Sequence, residues 1–71
     1  MEYLITAILR EMSGTELHEV EMRASRFRGY RGGSWNDGTY LAKFEAQHDA
    51  LQYISWLLGN KTITRVSIER K

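Results

Sequence analysis

Tyr3, Ile5, Ala7 and Leu9 fall on one side of an extended backbone, and Thr6, Ile8 and Arg10 on the other. A segment with this two-residue period cannot bury its apolar side alone. It needs neighbours that present a matching side in a fixed register. The next segment supplies one. If Tyr3 to Met12 and Thr15 to Ser25 fold as a hairpin about Ser13-Gly14, then Ala24, Met22, Val20 and His18 come opposite Tyr3, Ile5, Ala7 and Leu9, while Glu21, Glu19 and Leu17 come opposite Thr6, Ile8 and Arg10. A helical alternative uses the same residues: Ser13 and Glu16 have capping-box spacing, and Leu17, Val20, Ala24 and Phe27 recur at helical spacing. The hairpin is the expectation, because a helix leaves Met22 off the apolar stripe.

Gly38 closes an Asn-Asp-Gly turn, after which Tyr40, Ala42 and Phe44 alternate with Thr39, Leu41, Lys43 and Glu45 as a third strand. The glycine-rich stretch before that turn is then expected at a hairpin tip. From Gln47 to Leu58 the period becomes helical: Ala50, Leu51, Ile54, Leu57 and Leu58 share a stripe, Asp49 suits the positive end of the helix dipole, and Gly59-Asn60 provides the stop. Trp56 falls away from that stripe, on the side of Asp49 and Gln52. A last strand, Thr62 to Arg70, turns Thr64, Val66 and Ile68 one way and Arg65, Ser67 and Glu69 the other.

The expected fold is α+β: a small two-layer domain with an antiparallel sheet of about four strands and one helix packed on one face, in the order β-β-β-α-β. The helical reading of Thr15 to Phe27 would give a ferredoxin-like β-α-β-β-α-β order instead. No repeat, linker or proline divides the chain, so residues 1–71 are expected to be a single domain.

A chain of 71 residues has little interior in which to build a deep catalytic cleft. Without cysteine there is no disulfide framework and no thiolate metal site, which suits a reducing cytoplasm, and no signal-peptide or membrane-spanning pattern is present. A net charge of +1 disfavours both a general DNA-coating protein and an acidic nucleic-acid mimic. His18 and His48 lack partners at metal or triad spacing, and no helix follows Gly29, Gly32 and Gly33 as a phosphate loop would require. The chain therefore reads as a non-enzyme, with no catalytic residues, cofactor or metal.

Charge and aromatic placement point instead to binding. Four acids and no Lys or Arg occupy Glu11 to Glu21, and four arginines and no acid occupy Met22 to Arg31. The stretch from Arg26 to Gly38 gathers three arginines, three aromatics and four of the six glycines into thirteen residues. Arginine offers a planar fork for carboxylate or phosphate, and the rings offer stacking and hot-spot area. The candidate partner-binding residues are Arg26, Arg28, Tyr30, Arg31 and Trp35 at the tip, with Trp56 and Arg65 as secondary anchors. The same tip, with Tyr30 and Trp35 stacking on unpaired bases, could serve a single-stranded RNA or DNA binder.

From Phe44 onward, the pattern Glu45-Ala46, Asp49-Ala50-Leu51, Trp56 and Thr64-Arg65-Val66 resembles the small protein with which some podophages inhibit host RNA polymerase. The overlap covers about 27 residues, and the first half of the chain has no counterpart in that family. The resemblance implies an inhibitor whose closing strand helps hold the polymerase, a position that Arg65 matches. More broadly, a short, cysteine-free chain of this kind looks like phage-encoded inhibitors of host machinery, anti-CRISPR proteins included. This implies a cytoplasmic monomer or weak homodimer that occupies a surface of a host protein or ribonucleoprotein complex, without a membrane partner.

Overall fold

The computed structural model of the chain describes residues 2–10 and 14–71. In order, the elements are β1 (Tyr3–Leu9), α1 (Gly14–Ser25), β2 (Tyr30–Asn36), β3 (Thr39–Phe44), α2 (Gln47–Leu58) and β4 (Ile63–Arg70). The four strands form one antiparallel sheet with spatial order β2-β3-β1-β4. The fold is α+β in the ferredoxin-like order, two interleaved strand-helix-strand halves.

β1 lies at the centre of the sheet. Its alternation is as expected, with Tyr3, Ile5, Ala7 and Leu9 all buried. Its neighbours are β3, with Ile5 opposite Ala42 and Ala7 opposite Tyr40, and β4, with Ile5 opposite Ile68 and Ala7 opposite Val66. The expected hairpin with Thr15 to Ser25 does not form, and β-β-β-α-β is not the order. That segment is α1: Val20 and Ala24 are fully buried on its inner side and Leu17 and Phe27 pack against the core. Met22 does stand off this stripe, 43% exposed, as a helix requires. The helix prevails because the helical stripe meets a two-sided sheet already completed by β3 and β4. The suggested turn and cap at Ser13, and the strand residues Glu11 and Met12, lie outside the described residues.

The arginine- and glycine-rich stretch is not a hairpin tip either. Arg26 to Gly29 form the turn after α1, and Tyr30–Asn36 is the edge strand β2. The tip of the β2-β3 hairpin is Asp37-Gly38, with φ of 49° and 78°, the positive values that a two-residue type I′ turn needs. A side chain at Gly33 would collide with the ring of Tyr40, so glycine there lets β2 lie against β3. Gly32, at φ 103°, lies in the irregular stretch of the β2-β3 register between Tyr30 and Gly33.

α2 has the expected bounds but a different inner side. Ala50, Tyr53 and Leu57 are fully buried, whereas Leu51 and Leu58 are 51% and 72% exposed. Tyr53 replaces them at the centre of the layer because its ring fills the space beside Phe44, Phe27 and Trp56. α1 lies over β2 and β3, and α2 over β1 and β4. Both helices cover the same side of the sheet, and the side carrying Leu4, Thr6, Ile8, Leu41 and Lys43 is open.

Candidate partner-binding surface

All eight aromatic side chains belong to the core or pack against it, on the helix side of the sheet. This relocates most of the residues expected at a tip. Tyr30 shares a hydrogen bond with the hydroxyl of buried Tyr40, and its ring meets Phe44 edge-on at 5.7 Å. Trp35 lies 4.2 Å from the Tyr40 ring, centroid to centroid. Both rings brace the β2 edge against the core. Burial holds the Tyr40 and Tyr53 hydroxyls neutral well above the ordinary tyrosine range, and for Tyr40 the bond to Tyr30 adds to this. Arg31 pairs with Glu45 at the surface, an exposed ion pair of small energetic value. Arg65 is exposed on the open side of the sheet, opposite Ile8 in the register, and so lies on the other side of the molecule from Trp56. Arg28 is exposed in the turn after α1.

Two of the expected residues do converge. On the helix layer, Arg26 and Trp56 line one groove of about 250 Å³ with His18, Glu19, Met22 and Arg23. Trp56 is half-buried, stacked on Tyr53 at 6.1 Å and 14°, and the Arg23 guanidinium lies 5.0 Å from its ring centroid. A second, shallower hollow beside Trp56 is lined by Glu19, Ser55, Gly59, Asn60 and Lys61. The indole and Glu19 thus border both hollows. The indole is held by the Tyr53 ring and by the Arg23 guanidinium, so its position is set before any partner arrives.

Met22 and Arg23 were not singled out by sequence because the strand reading scatters them across two faces. Read on a helix, Glu19, Met22, Arg23 and Arg26 fall at i, i+3, i+4 and i+7 and share one side. The groove is apolar at Met22 and Trp56, and its charged lining is two arginines, Arg23 and Arg26, against one acid, Glu19. Among the described residues no cluster of three or more His, Asp or Glu could hold a metal ion, and no helix is long and apolar enough to cross a membrane. His18 sits on the outer side of α1, and His48, in the first turn of α2, is 3.2 Å from Gln52 one turn on.

No protein-family model matches the chain, and no curated protein matches it. Among solved structures, the chain is similar to the structured domain of Drosophila melanogaster Boca, with a TM-score of 0.79 and 16% identity over 100% of this chain and 99% of that one. At this identity the likeness concerns the fold alone.

Proposed function

We propose that this chain is a non-enzymatic protein-binding module that acts by occupying a surface of a larger complex, the mode of action implied by the resemblance to small phage-encoded inhibitors. The observation that carries the reading is the Arg23-Trp56 stack beside exposed Met22 and Arg26. Trp, Met and Arg are the types enriched at protein interfaces, and a pre-set indole loses little entropy on binding. The groove suits a partner segment that offers an apolar side chain to Met22 and Trp56 and a carboxylate to Arg23 and Arg26.

The single-stranded nucleic-acid reading has less support. A sheet that reads unpaired bases presents aromatic rings on its open side, and here Leu4, Thr6, Ile8, Leu41 and Lys43 stand there instead, while Tyr30 and Trp35 are engaged with Tyr40. The deciding experiment is a pull-down from a bacterial host lysate with and without nuclease, followed by affinity measurement on what is recovered. Protein binding should survive nuclease and fall by about tenfold or more for Trp56→Ala and for Arg26→Ala, while Arg65→Ala binds normally. Recovery that depends on nucleic acid, with affinity for generic oligonucleotides falling steeply with salt, would replace this reading with the other.

A further inference from the structure

β4 is an edge strand, and the features around its free side are self-complementary. Viewed along α2, Trp56 points toward α1, whereas Leu51, Ile54 and Leu58 lie on the opposite flank. α2 covers β1 and β4, so that flank overhangs the free side of β4. There Leu51, Leu58 and Ile68 are 51%, 72% and 45% exposed, and Val66 is half-buried. Apolar surface beside an open strand edge is a site for strand pairing.

The hydrogen-bond phase of β4 is fixed by its partner. Glu2 and Lys71 exchange N–H···O bonds of 2.9 and 2.7 Å, so by alternation the main-chain groups of Arg65, Ser67 and Glu69 point toward β1. Those of Val66 and Ile68 point outward. If a second β4 lies antiparallel with Ser67 opposite its own symmetry mate, Val66 and Ile68 of the two copies exchange main-chain hydrogen bonds. In the same register Arg65 of each copy stands opposite Glu69 of the other on the open side of the sheet. Centring the pair on Val66 or on Ile68 breaks that charge match, so the sequence selects one register. Glu69 is paired with Lys71 at 3.5 Å, and its side chain is exposed enough to meet a second cation as well.

We propose that the chain forms a twofold homodimer through β4, centred on Ser67, joining two four-stranded sheets into one of eight strands with the Leu51 and Leu58 flanks of the two α2 helices facing across the seam. The Trp56 groove lies on the other flank of α2 and stays open in this dimer. The inference is independent of what that groove binds.

Sedimentation equilibrium of the full chain is expected to show a concentration-dependent dimer. Arg65→Glu alone and Glu69→Arg alone each set like charges opposite one another twice across the seam and should weaken it by about tenfold, with unchanged circular dichroism. An equimolar mixture of those two variants pairs opposite charges at both sites and should recover the dimer. Ser67→Cys provides an independent readout: the chain has no cysteine, and the symmetry-related Cα atoms would be about 4.5 Å apart, within disulfide range. Mild oxidation should link this variant rapidly and Ser55→Cys, on the exposed side of α2, only slowly. A monomer at about 1 mM, a dimer indifferent to the charge reversals, or equal cross-linking of the two cysteine variants overturns the proposal.

Discussion

The hydroxyl of Tyr53 donates a 3.0 Å hydrogen bond to the main-chain carbonyl of Val20, joining α2 to α1 where both residues are fully buried. The same ring lies 5.3 Å from Phe44, 6.2 Å from Phe27 and 6.1 Å from Trp56. One side chain therefore sets the spacing of the helices, anchors them to the sheet and supports the indole of the proposed binding groove. Folding and the geometry of that groove share this residue.

Tyr53→Phe keeps the ring and removes only the hydroxyl, so it should cost about 1 kcal/mol. Tyr53→Ala removes the ring contacts as well and should cost about 3 to 5 kcal/mol. Urea melts with an unchanged slope would check the pair. A Phe variant as unstable as the Ala variant would mean that the hydrogen bond, and not the ring packing, holds the helices together.

Alkaline pH should unfold the protein through Tyr40 and Tyr53. Their hydroxyls ionise near pH 10 in the unfolded chain, while burial keeps them neutral to higher pH in the folded one. A raised folded-state pKa contributes stability that is complete below the unfolded value and is lost as pH rises past it. Stability should thus be flat below about pH 9 with respect to these groups and fall above about pH 10, by up to about 1.4 kcal/mol per pH unit for each tyrosine. Melting midpoints at several pH values would show the break. Tyr53→Phe should flatten the slope.

Gly33→Ala should destabilise by about 2 kcal/mol or more, because the added Cβ meets the fully buried Tyr40 ring and, at 2.6 Å, the main-chain oxygen of Leu41. Gly14→Ala is the matched control: at the start of α1 nothing lies within 4 Å of the added methyl group, and the change should be neutral or slightly stabilising. Thermal melts of both would test whether the glycines of β2 serve packing or looseness.

What could be read in advance divides along a physical line. β1, β3, α2 and β4 were legible because their period, turn signals and stops agree with one another, as at Asp37-Gly38 and Gly59-Asn60. α1 was ambiguous because Val20 and Ala24 satisfy both periods, and the choice rests on β3 and β4 claiming the two sides of β1, a relation between distant segments. β2 was hidden because its glycines look like a loop until Tyr40 is known to press against Gly33. For the candidate groove, Arg26 and Trp56 were expected from residue type, while Met22 and Arg23 needed the helix to bring them to one side.

Leu57 and Leu58 put the sharpest test on the inner side of α2. Neighbours of identical chemistry share the same stripe in the sequence, yet Leu57 is fully buried and Leu58 is 72% exposed beside the β4 edge. Leu57→Ala removes a packed core side chain and should cost about 2 to 5 kcal/mol, whereas Leu58→Ala should change stability by no more than about 0.5 kcal/mol. The comparison belongs at low micromolar concentration, where association through β4 adds nothing to the folded state's stability. At high concentration the gap should narrow: Leu58→Ala would then lose whatever stability the second copy contributes, and Leu57→Ala would remain destabilised at every concentration. Equal losses at low concentration would place Leu58 in the core, and the exposed flank of α2 would no longer exist to face a partner.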